Sequence, residues 1–293
     1  MDLVNVIVTG VLLGGIYALV SIGLTLIFGV IQVVNFAQGE FVMLGMYGAF
    51  YAHKWWGLDP YVAILVVGPA TFLLGIVVQR LIIQPLLDEP VMQIFATFGL
   101  VILIQNSVLA STHGVPRTTR TGYSSSVLDA GFATISVARL VVLAFTIAAA
   151  LALLAFLRRT MLGTAIRAVA HDRMAARLMG IDVERVYMLT FGLGVALAAV
   201  AGAMLAPIYT VTPSIGFNFI LPAFAVVILG GLGSIQGALL GGLIVGLVES
   251  FSGFYLDPSL KQAIWFALFI AVLVVKPNGL LGGSAPGTQV AAR

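Results

Sequence analysis

The sequence predicts an all-α polytopic membrane protein with about eight transmembrane helices plus broken or re-entrant segments. Three observations carry that prediction. The chain is 61% hydrophobic and only 9% charged, whereas a soluble domain carries about 25% charged residues. The charges are segregated, which leaves several nearly uncharged runs of about 20 residues, the length a helix needs to cross the hydrocarbon core. These runs are continuous and do not alternate apolar with polar residues, so they suit helices and not barrel strands. Residues 1–282 read as a single membrane domain and residues 283–293 as a flexible tail.

The first span is placed at about 4–31 and the second at about 38–53, with Asn35, Gln38 and Glu40 interrupting the apolar run near their junction. Met1-Asp2-Leu3 lacks the basic start of a secretory signal, so the first stretch is expected to be retained. His53, Lys54, Trp55 and Trp56 form an interfacial belt. Pro60 opens the third span, about 61–83. Gln84 to Pro90 is a tight polar turn, and the fourth span runs about 91–110. Residues 111–136, with Arg117, Arg120 and Asp129, form a polar loop. The fifth span is about 137–157.

The segment Arg158 to Arg185 follows. It holds Arg158, Arg159, Arg167, Arg173, Arg177 and Arg185 against Asp172, Asp182 and Glu184. A short basic loop between spans marks the cytoplasmic side, because such loops retain Lys and Arg. Within it Asp172 is placed as an N-cap and Gly180 as a left-handed helix stop. Met174, Leu178 and Ile181 recur at helical spacing, with Arg173 and Arg177 on another edge. This short helix either rests on lipid headgroups or docks onto a soluble partner.

The sixth span is about 186–206. The apolar stretch 217–250 is broken at Gly230-Gly231-Leu232-Gly233-Ser234, which predicts two short passes or a re-entrant pair. A last span, about 262–282, follows Asp257 and Lys261. The stretches 20–50 and 224–250 share a loose shape, an apolar run with a Gly/polar break and one Glu. Paired interruptions of this kind mark the pathway in some transporters.

Several chemistries have no support in the residues. The chain has no cysteine, and His53, His113 and His171 lie at the edge of or outside the predicted spans without a His-Glu-x-x-His pattern, so no metal site is expected. No Gly-Lys pair exists for a nucleotide-binding P-loop. If ATP drives the protein, another chain hydrolyses it. No cofactor is expected, and no basic stripe with interleaved aromatics points to nucleic acid. Glu40 and Glu249 are candidates for a solute path because ionisable groups at membrane depth are costly, although each is close enough to a span end to reach headgroups. Asn35, Gln38 and Gln236 are candidates for the same path or for capping the helix breaks, with Gly230, Gly231 and Gly233 in the later break.

Met174-Ala175-Ala176-Arg177-Leu178-Met179-Gly180 resembles the E-A-A-x-x-x-G core of the cytoplasmic loop in ABC importer permeases, with Met174 replacing the usual Glu and no downstream I-x-L-P. That departure speaks against the maltose type. Leu24 to Phe50, Arg167 to Val186 and Val226 to Ser250 resemble the branched-chain amino-acid permeases of the LivH/LivM type and, more distantly, the ribose type. The resemblance implies a bacterial inner-membrane permease subunit in the lipid bilayer. Its implied partners are a second permease subunit, two ATP-binding subunits and a periplasmic solute-binding protein. It also implies that Met174 and Leu178 anchor the loop on an ATPase, that Arg167, Asp172, Arg173, Ala175, Ala176 and Arg177 belong to the same coupling element, and that Gly180 turns the chain back. Branched-chain or related amino acids are the solutes it implies. Urea, short amides and small carboxylates stay open, as does an ion-coupled transporter or channel working alone.

Overall fold

The computed structural model describes residues 2–119, 121–124, 126–129, 134–256, 260–276 and 278–282. Arg120, Asp257 and the expected tail at 283–293 lie outside the described residues. The elements in order are α1 (Asp2–Ile31), α2 (Gln38–Trp56), α3 (Ile64–Val78), α4 (Pro90–Thr112), β1 (Val127–Asp129), β2 (Thr134–Ser136), α5 (Val137–Arg159), α6 (Met161–His171), α7 (Arg173–Leu178), α8 (Val183–Leu205), α9 (Phe217–Gly230), α10 (Ile235–Tyr255) and α11 (Lys261–Val275). Among the described residues six segments are long and apolar enough to cross a membrane, and α9 and α11 are shorter apolar helices. The chain is an all-α polytopic membrane protein.

Helix α1 is the axis. Most of its apolar stretch is buried inside the chain, whereas most of that of α4 is not. It packs on α8, α9, α10 and α5. Water does not drive helices together within a bilayer, so close backbone approach has to supply the attraction. Gly14 and Gly246 show how closely α1 and α10 meet: a Cβ on Gly14 would lie 2.8 Å from the Gly242 carbonyl oxygen, and one on Gly246 would overlap the Gly14 backbone. The α2–α8 crossing is equally tight, with Gly45 against the Ala199 carbonyl and Gly202 against the Val42 carbonyl.

The helix ends divide the molecule into a basic end and a far end. At the basic end the α3–α4 turn meets α7, since Gln84 and Asp88 share a cavity with Arg173 and Arg177. The break between α9 and α10 lies there too, with Gly233 beside Gly29 and Arg167. At the far end the Tyr123 hydroxyl donates to both Asp59 carboxylate oxygens at 2.7 and 2.8 Å. Arg117 and Val211 exchange backbone hydrogen bonds of 2.9 and 2.7 Å. A two-stranded antiparallel hairpin, β1–β2, pairs Val127 with Ser136 just before α5.

Three features correct the sequence reading. The polar loop holds the β1–β2 hairpin. The basic segment contains a second helix, α6, of 11 residues ahead of α7. The last helix stops at Val275, well short of 282. Pro277 follows Lys276 in the sequence and disfavours helical backbone at the residue before it, and Lys276 has left the helix at φ −141°. The chain then turns back, and the Leu280 and Leu281 amides donate to the Leu229 and Gly230 carbonyls at 2.8 and 2.9 Å.

Candidate functional site

The basic end is built from short capped helices. Thr160 starts α6, its hydroxyl accepting from the Gly163 amide at 2.9 Å. Ile166 and Val169 bury one face of α6, and α6 packs on α1 and α8. Arg167 is drawn back toward α5, its Nε donating to the Leu157 carbonyl at 2.9 Å. Asp172 then starts α7 as predicted. Its Oδ1 accepts from the Met174 and Ala175 amides at 2.8 and 3.0 Å. Those two bonds, Ala175's foremost, hold the carboxyl below its ordinary range. Gly180 stops the helix at φ +82°. Its amide donates to Arg177, and the Ile181 amide donates to Ala176, both at 3.1 Å. Asp182 caps α8 through the Arg185 amide and pairs with the Arg185 guanidinium at 2.8 Å.

The result is a small protruding knob. Ala176 is buried beneath it, while Met174, Leu178 and Met179 are 63%, 82% and 82% exposed. Ile181, placed by spacing on the same stripe, is half-buried and belongs to the base of the knob. Arg173, Met174 and Arg177 also line a cavity of ≈270 Å³ with Asp88 and Glu184. The structure therefore gathers Asp172 through Gly180 into one exposed, basic and apolar element, with Arg167 at its root.

The interior candidates separate. Asn35 and Gln38 hold the α1–α2 break together. Asn35 Nδ2 donates to Gln38 Oε1 at 3.1 Å, Asn35 Oδ1 accepts from the Ala37 amide, and Gln38 Nε2 reaches the Gly194 carbonyl at 3.2 Å. The Asn35 side chain thus satisfies a backbone amide of the break, and the Gln38 side chain joins α2 to α8. Glu40 is 2% exposed, and its Oε2 has no hydrogen-bond partner among the described residues. It lies where Gly39 and Gly216 bring two chain segments into contact. Gly230 packs on Gly237 and Gly231 on Gly282, whereas Gly233 and Gln236 are exposed at the basic end.

Glu249 stands apart at the far end. The Tyr17 hydroxyl donates to it at 2.7 Å. It lines a cavity of ≈460 Å³ with Arg139, Tyr209 and Lys261. Sequence reading missed these neighbours. Arg139 and Lys261 sit at the starts of α5 and α11, where charge passes for ordinary interfacial anchoring, and Tyr17 is one aromatic within a long apolar run.

The chain is thus a multi-pass helical membrane protein with two helix breaks and an exposed basic knob. Residues 6–273 match the family described as branched-chain amino acid transport system / permease component, and the chain belongs to that family. It is 37% identical to the high-affinity branched-chain amino acid transport system permease protein LivH of Escherichia coli K12, over 93% of each chain. It is 33% identical to BraD, the corresponding permease protein of Pseudomonas aeruginosa, over 94% of each. A LivM permease protein of Salmonella typhimurium is 25% identical over 92% of this chain and 69% of its own length. No solved structure matches.

Proposed function

We propose that the chain is a permease subunit of an ATP-driven, binding-protein-dependent importer of branched-chain amino acids in the bacterial inner membrane. Family membership supports the transport role, and the names of LivH and BraD support the solute class. The Arg-rich end faces the cytoplasm by the positive-inside rule. A second permease subunit, two ATP-binding subunits and a periplasmic solute-binding protein complete the assembly. The chain supplies no ATP hydrolysis of its own.

The observation that carries the coupling role is the exposed knob at Met174, Leu178 and Met179 above buried Ala176. Large apolar side chains left uncovered by the chain at a basic end suit a groove on a soluble partner, with Arg173 and Arg177 setting register. ATPase movement transmitted to this knob reaches α1 through α6, and the α9–α10 break through Arg167 and Gly233, which share a cavity. Glu40, Gly230, Gly231, Gly233 and Gln236 are the candidates for the path that opens, with Asn35 and Gln38 bracing its first break and Glu249 standing near its outer end. A knob lying on lipid headgroups is the competing reading, favoured by the same mix of Arg and Met.

Co-purification with the ATP-binding subunits tests the two readings. Met174→Asp/Leu178→Asp should lose the ATPases while the chain stays folded in detergent, since both side chains are exposed. Retained assembly with undiminished uptake would leave the headgroup reading.

A further inference from the structure

The far-end cavity combines features that the family assignment does not explain. Glu249 enters it from α10, Arg139 from α5 and Lys261 from the start of α11. The carboxylate of Glu249 is held in place by the Tyr17 hydroxyl. All three charged groups are half-buried, and among the described residues they form no ion pair with one another. Opposite charges that share one pocket without pairing usually pay a desolvation cost with little return. A ligand carrying both charges would satisfy both sides together through charge-assisted hydrogen bonds. The rest of the lining is mixed. Val6, Leu13 and Phe254 supply apolar surface, while Thr9, Tyr209 and Ser250 supply hydroxyls. The volume of ≈460 Å³ falls within the roughly 300–1,000 Å³ of small-molecule sites.

We propose that this cavity is an outer receiving site for a free zwitterionic α-amino acid, with Glu249 taking the ammonium group, Arg139 and Lys261 the carboxylate, and Val6, Leu13 and Phe254 the apolar side chain. The proposal rests on the importer reading for its solute class. It adds a selection step in the permease itself: a solute lacking either charge leaves one side of the pocket uncompensated. A phospholipid headgroup that pairs an ammonium with an anion has related chemistry. A free amino acid fits better because the apolar lining accommodates a short branched side chain beside the two charges.

The test uses the complete permease–ATPase complex in nanodiscs of anionic lipid only, without the solute-binding protein. A diazirine analogue of leucine is the probe, and modified peptides are mapped by mass spectrometry. Labelling should fall in α1 around Val6–Leu13 and in α10 around Glu249–Phe254. Unlabelled leucine should compete, and 4-methylpentanoate, which lacks the ammonium group, should not. Glu249→Gln and Arg139→Gln should each lower labelling roughly tenfold, the scale of one lost charge-assisted hydrogen bond. Glu249→Asp should retain most of it. Equal labelling in wild type, Glu249→Gln and Arg139→Gln overturns the site, as does equal competition by 4-methylpentanoate. Displacement of the probe by added phosphatidylethanolamine but not by leucine assigns the pocket to lipid and also overturns it. ATP-driven leucine uptake by the wild-type complex with its binding protein is measured in parallel. Uptake without labelling removes the receiving site and leaves the importer standing, whereas absence of uptake removes the importer reading.

Discussion

Single residues decide whether the knob keeps its shape, and Asp172 is the plainest case. Its side chain accepts two of the amides that open α7. Asp172→Ala should fray the helix and weaken ATPase assembly in a pull-down, while Asp172→Asn, which keeps an acceptor oxygen, should assemble nearly normally. The pH dependence has a definite sign. The folded-state pKa of Asp172 lies below its ordinary value, so the cap's contribution is present above the unfolded pKa and is lost as pH falls through the folded one. Assembly should therefore not vary with pH around neutrality through the titration of this group, and loss on acidification should be smaller in Asp172→Asn. Asp172 and Gly180 were legible in the sequence because capping is local: the residue type and its offset from the apolar run are enough. Glu40 was not legible in the same sense. Its polarity shows in the sequence, but its full burial depends on Gly216 meeting Gly39, a contact between segments about 180 residues apart that no local pattern encodes.

At the scale of elements, stability rests on glycine-lined crossings. Gly202 of α8 leaves no room for a side chain against the Val42 carbonyl of α2. Gly202→Leu should thus lower the unfolding midpoint in detergent, at a cost of at least about 1–3 kcal/mol for overpacking. Gly99 of α4 gives the contrast, since a Cβ there meets nothing within 4 Å. Gly99→Ala should stabilise the isolated chain by roughly 0.5–1 kcal/mol, because glycine inside a helix carries extra unfolded-state entropy. The same reliance on small residues explains which elements the sequence reveals. Hydropathy located α1, α4, α5 and α8 to within a few residues, since a span needs a long apolar run whatever it packs against. It overlooked α6, which buries Ile166 and Val169 but at 11 residues is too short to register when only long apolar runs are sought. The α9–α10 break was visible as a glycine cluster. That the returning segment Leu280–Leu281 closes it was not, because backbone pairing leaves no side-chain signature.

At the scale of the whole molecule, the reading depends on which end faces which compartment. The basic end carries the Arg-rich knob and the α3–α4 turn, and the far end carries the hairpin, Trp55 and Trp56, and the receiving cavity. If the orientation were inverted, the knob could not meet cytoplasmic ATPases and the cavity could not take solute from outside, so both proposals would fail together. The chain contains no cysteine, which makes the orientation directly measurable. Ser126→Cys and Leu178→Cys place single thiols at exposed positions on opposite ends. In cells whose outer membrane alone is permeabilised, a membrane-impermeant maleimide should label Ser126→Cys and spare Leu178→Cys. Disrupting the inner membrane should expose Leu178→Cys, and adding the ATP-binding subunits to such membranes should protect it again. The reverse labelling would invert the molecule. Correct labelling without protection would keep the topology and separate the knob from the ATPases, because an 82%-exposed Leu178 buried in a partner's groove has to lose its access to reagent.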